Sequence, residues 1–96
     1  DDIELLVRAE DLYVAPVITW WNDRNEWGRQ APPNPTWRRF DSDRFTDVMA
    51  GEDEREGGAL LYFHLDRALP IQGAAREFPP PLAFARQARA RNPAAW

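Results

Sequence analysis

"YVAPVITWWND", Tyr13 to Asp23, is the stretch on which the fold turns. Tyr13 to Thr19 is apolar and rich in β-formers, and its hydrophobicity is continuous rather than alternating. Burial on both faces of that kind suits a central strand of an α/β sheet. Pro16 qualifies the reading. Proline has no amide to give to a ladder, so the strand must there be an edge or carry a bulge. The strand then runs into the adjacent pair Trp20-Trp21, and a polar loop leads on to Trp27. Three of the chain's five tryptophans lie in this short span.

Working outward, "DIELLVRAEDL" upstream puts Ile3, Leu6, Val7 and Leu12 near one stripe at helical spacing. Asp1, Asp2 and Glu4 suit a helix N-terminus, where the dipole favours negative charge. Downstream, Trp20 to about Asp43 reads as a long loop, because "PPNP" holds three prolines in four residues. Loops longer than about 12–15 residues inside a compact domain are uncommon and are often functional. "RFTDVMAGEDE" predicts a strand ending near Gly51, "EREGG" a turn, and "ALLYFHL", Ala59 to Leu65, a further strand. "DRALPIQGAAREFPPP" is irregular. "PPLAFARQARAR" predicts a helix with Pro81 in its first turn, where a missing N–H costs nothing. Its expected inward face is Leu82, Ala85 and Ala88-Arg89. The order helix, strand, long loop, strand, turn, strand, helix is that of an α/β layered domain.

Ninety-six residues make one small domain. The chain starts on Asp1 without an initiator Met and ends on Trp96, and it reads as a partial domain, residues 1–96, of a longer protein. All twelve basic residues are Arg, and the acids interleave with them to a net charge of −4. That pattern argues against nucleic acid as a partner, which needs a segregated basic patch. With no cysteine, a disulfide framework, a thiolate zinc site and a Cys nucleophile are excluded. No apolar run approaches the ~18 residues of a membrane span.

Two clusters and one lone residue carry candidate chemistry. In "GEDERE", Gly51 to Glu56, hard oxygen donors stand at a predicted strand end, where α/β folds place metals and substrates. Glu52, directly after Gly51, is the best placed ligand; the plain alternative is a solvated turn. Trp20, Trp21, Trp27 and Trp37 either form a stacking wall for sugars or other rings, or cover a small core. Asn22, Asp23 and Arg24 would add polar contacts to such a wall. His64, the only histidine, is a candidate substrate contact, against the commoner fate of a strand histidine that is satisfied or faces solvent.

Set together, these stretches resemble the polymerase-and-histidinol-phosphatase (PHP) superfamily. There an amphipathic helix leads into a strand ending in "TDHN", whose Asp and His serve a metal centre. Here "IELLVRAEDLYVAPVITWWND" has that architecture, with "ITWWND" in place of "ITDHND". The family's next motif is a strand running into a Gly-Glu pair, followed by a turn and a Gly-His that opens another strand. "VMAGEDEREGGALLYFHL" is similar, with Gly51-Glu52 matching the Gly-Glu pair and Gly58-Ala59 standing in place of Gly-His. The closer resemblance, which takes in "REFPPPLAFARQAR", is to the CehA/McbA branch, in a subfamily of large bacterial proteins. It implies a PHP-like (β/α) layered or barrel-type domain and a metal-dependent hydrolase acting on phosphoesters or related bonds. It also implies a divalent zinc, manganese or iron ion in the full-length protein, a small-molecule or carbohydrate substrate, and an exported location. Only Glu52 keeps a ligand identity; Trp20, Trp21 and Ala59 cannot coordinate a metal. The remaining ligands are expected on flanking segments of the parent chain, and the isolated chain is expected to be inactive. The alternatives are a non-catalytic binding module with a tryptophan-lined surface and a structural segment with no activity of its own.

Overall fold

A computed structural model describes residues 1–22, 24–25, 31–71 and 76–96, the side chains of Arg24 and Asn25 excepted. Helix α1 spans Asp2–Ala9. Asp1 caps it, its carboxylate accepting from the Glu4 amide at 3.0 Å, and Arg8 pairs with Glu4 one turn back at 3.0 Å. Of the expected stripe only Val7 is fully buried, whereas Leu6 and Leu12 are exposed. The helix packs on β1, Val14–Trp21.

Strand β1 runs parallel to β4, Phe45–Arg55, the long central strand of a five-stranded mixed sheet. The β1–β4 register shifts after Pro16 and again after Ile18. Strand β2, Arg24–Asn25, flanks β1 only at Trp20 and Trp21. Pro16 therefore sits both beside a bulge and where β1 has a described strand on one side alone, so its missing N–H interrupts no second ladder among the described residues. Strand β3, Trp37–Arg39, pairs antiparallel with the start of β4, and β5, Gly58–Tyr62, pairs antiparallel with its end. The expected long loop thus contains two short strands. Among the described residues, the crossover from β1 to β4 holds no helix.

The strand expected to end near Gly51 continues to Arg55, so the acidic cluster lies in a strand rather than in a turn. Period-two alternation explains how charges survive there: Asp53 is buried while Glu54 faces water. The turn is the pair Glu56-Gly57. Strand β5 stops at Tyr62, short of Leu65, because His64 takes a positive φ of 61°.

Helix α2, Pro81–Arg91, begins on the predicted proline. It buries Phe84 and Ala88 against Trp20, Met49 and Tyr62, while Leu82 is exposed, contrary to the expected face. Leu65, Leu69 and Ile71 fill the same core from an irregular segment. The architecture is a mixed α/β sheet with two helices. No helix among the described residues is long and apolar enough to cross a membrane.

Candidate functional site

Alternation along β1 sends the two neighbouring tryptophans to opposite faces of the sheet. Trp20 points into the core. It is 1% exposed, its indole N–H donates to the Met49 carbonyl at 2.9 Å, and its ring stacks on Tyr62 at 5.8 Å. Trp20, Gly51 and Tyr62 are register partners across β1, β4 and β5. The indole crosses directly over Gly51, where a Cβ would lie 1.9 Å from its Cε2. The glycine before Glu52 is thus required by the tryptophan beside it. With its ring enclosed, Trp20 offers no face to a ligand from solvent.

Trp21 points to the other face, is half-buried, and is the register partner of Glu52. Glu52 is in turn the partner of Leu61, which places Ala59 as its diagonal neighbour on the same face. The Glu52 carboxylate, half-buried, makes no hydrogen bond or ion pair with a described residue. Beyond the last ladder pair, the Asn22 side chain bonds the backbone of Glu54. Its amide nitrogen donates to the Glu54 carbonyl at 2.5 Å, and its amide oxygen accepts from the Glu54 N–H at 3.4 Å. A shallow depression of about 430 Å³ opens here, lined by Trp21, Asn22, Glu54, Arg55 and Glu56. Arg24 reaches this end through its backbone, paired with Trp21. The side chain of Arg24, and Asp23 and Trp27 altogether, lie outside the described residues.

Beneath this end sits a charge pair that composition alone does not disclose. Asp53 and Arg55 form a bidentate ion pair at 2.8 and 2.7 Å, with side chains 0% and 2% exposed. Arg55 also donates to the carbonyls of Pro79 and Arg76. Its hydrogen bonds to Asp53 hold the guanidinium pKa above the usual arginine value. Tyr62, on the same sheet face, is pushed up to about 12, first by burial and then by the Asp53 charge.

His64 lies elsewhere. Its ring stacks on Trp37 at 4.4 Å with a 12° tilt, at the edge of a cleft of about 390 Å³ that also touches Asn34, Thr36 and Asp66. Its backbone amide donates to Asp47 at 2.6 Å, and the other oxygen of that buried carboxylate accepts from the Met49 amide at 2.9 Å. Asp47 precedes Glu52 by five positions on β4, roughly 16 Å of strand, and projects from the opposite face. The structure therefore sets Trp21 beside Glu52 and ties Asn22 to the backbone of Glu54, and it leaves His64 apart from them. Sequence reading missed Asp47 and the Asp53–Arg55 pair. The one available signal was their spacing of two residues with Met49 and Gly51 along β4.

Among the described residues, no group of three or more His, Cys, Asp or Glu side chains could hold a metal ion. Comparison with protein-family models, curated proteins and solved structures found no match.

Proposed function

We propose that the chain forms part of a PHP-like, CehA/McbA-type metal-dependent hydrolase domain of barrel or layered type, and contributes Glu52 as a metal ligand beside a wall formed by Trp21. The observation that carries the reading is the register Trp21↔Glu52 across two adjacent parallel strands. The resemblance aligns Trp20, Trp21, Glu52 and Ala59 with metal-binding positions; strand alternation sets Trp21, Glu52 and Ala59 on one sheet face and turns Trp20 into the core on the other. Glu52 sits there with no described residue satisfying its carboxylate, as befits a ligand whose partner is a cation.

Three of those four positions no longer offer a donor. The reading therefore requires further ligands from beyond the described residues, and the 96 residues alone are not expected to catalyse hydrolysis. The chemistry would be Lewis-acid polarisation of a phosphoester oxygen or activation of a bound water.

The test is Glu52→Gln in the full-length protein, with Glu54→Gln as a control on the exposed neighbour. Metal analysis of the purified proteins should show a lower stoichiometry for Glu52→Gln alone, with phosphoesterase activity down by at least about tenfold. Unchanged metal content in Glu52→Gln would falsify the ligand assignment. A protein that binds no metal in any form would leave the fold as a scaffold for binding.

A further inference from the structure

The backbone of His64 has a φ of 61°, in the left-handed region that a β-carbon disfavours. Three contacts keep it there. Its amide donates to Asp47, its carbonyl accepts from the Asn92 carboxamide at 2.7 Å, and its ring lies nearly flat on Trp37. Trp37 in turn meets Phe45 at 4.3 Å between ring centroids. Residues in sparsely populated backbone regions persist only where their surroundings fix them, and they cluster at ligand clamps. The imidazole held in this way has no hydrogen-bond partner for its nitrogens among the described residues.

The ring stands at the cleft of about 390 Å³, a volume within the range of small-molecule sites. Residues 64–66 form one wall, and a segment with Pro32, Pro33 and Pro35 forms the other. Thr36 ties the two walls. Its hydroxyl donates to the Leu65 carbonyl at 2.9 Å, and its own carbonyl accepts from the Val48 amide of β4 at 2.9 Å. Three proline rings with fixed φ and these two bonds leave the walls little freedom to lose on binding.

The polar groups of the cleft select its ligand. The Asn34 carboxamide and the His64 imidazole can each donate and accept, and the Asp66 carboxylate accepts. The lining has no arginine, although the chain has twelve basic residues, and Asp66 repels anions. A phosphate or carboxylate ligand is therefore poorly matched. A cation gains little from one carboxylate that is 61% exposed and already beside Arg67 at 3.4 Å. A neutral ring with hydroxyls around its edge and apolar C–H faces matches both kinds of wall. We propose that this cleft binds a neutral pyranose, its C–H face on the prolines and its hydroxyls bonded to His64, Asp66 and Asn34. The inference is independent of the hydrolase reading: the cleft stands apart from Glu52, and its test follows sugar binding and neither metal nor turnover.

The probes are the methyl glycosides of glucose, galactose, mannose and xylose, titrated into the full-length protein and followed by ligand-observed NMR. At least one should bind saturably, with a Kd on the order of 1 mM. The uronate of the same sugar should bind at least about tenfold more weakly. Two variants locate the site. His64→Gly removes the imidazole, and glycine accepts the positive φ without strain, so the fold is kept. Asp66→Ala removes an exposed carboxylate that the core does not use. Each should weaken binding about tenfold with the thermal midpoint held. A folded protein that binds none of the four glycosides overturns the proposal, as does equal affinity for the uronate. Binding that survives both variants, or that is lost in Trp21→Ala instead, places the sugar elsewhere and overturns it too.

Discussion

Gly51 shows how one residue decides the character of its neighbours. The Trp20 indole passes over it to reach Tyr62, and that passage exists only because position 51 lacks a Cβ. Glu52, one step on, is turned to the opposite face by strand alternation. The glycine thus serves the core, and the carboxylate beside it faces away from that core. Gly51→Ala places a methyl group inside the indole ring, and the surrounding core is closed. The expected loss is about 1–3 kcal/mol or more of folding stability. Urea denaturation followed by tryptophan fluorescence measures it, and near-UV dichroism should show the Trp20–Tyr62 stack disturbed. Stability within about 0.5 kcal/mol of the unaltered protein would mean that the indole does not lie across this glycine.

At the scale of elements, the β4–β5 hairpin and the irregular segment before α2 are joined by a single charged device. Asp53 and Arg55 share one strand face two positions apart, and both are out of water. Arg55 then reaches from β4 to the carbonyls of Pro79 and Arg76, tying the hairpin to the approach of the helix. Removing either partner strands the other as a buried charge, so Asp53→Ala or Arg55→Ala should each cost about 3–5 kcal/mol. A double replacement by apolar residues, Asp53→Leu with Arg55→Leu, should cost less than either single change. Chemical denaturation of the three variants forms the test, and single costs near zero would show that the pair is solvated. The acidic appearance of "GEDERE" concealed this division of labour: one acid balances an arginine inside, two face water, and Glu52 is left without a described partner.

At the scale of the whole molecule, one apolar core gathers β1, β4, β5, α2 and the irregular segment around Leu65, Leu69 and Ile71. Tyr62 lies within it, with its phenol driven up to about 12 by burial and by Asp53. In the unfolded chain the same phenol titrates near 10. Below pH 10 both states hold the proton and the contribution of Tyr62 is complete. Between pH 10 and about 12 the unfolded state loses its proton first, so folding stability falls as pH rises. Denaturation midpoints across this alkaline range should drop, and Tyr62→Phe should flatten that part of the slope. An unaltered slope in Tyr62→Phe would place the alkaline sensitivity elsewhere.

Local chemistry by itself determined the helix starts, at the Asp1 cap and at Pro81, the turn before Gly58, and the strand character of "YVAPVIT" and "ALLYF". These depend on capping, fixed φ and side-chain branching, which act over a few residues. Helix faces were less legible. Leu82 and Leu6 are as apolar as Phe84 and Val7, yet only the latter two are buried. What the sequence could not decide was which of two chemically identical tryptophans goes inside. Alternation separates Trp20 from Trp21, but the glycine that admits an indole, Gly51, is supplied by β4, a distant part of the chain. Likewise His64 meets Trp37 and Asp47 only because β3, β4 and the end of β5 converge there. Such pairings depend on register and close packing between distant segments, which tertiary structure alone sets.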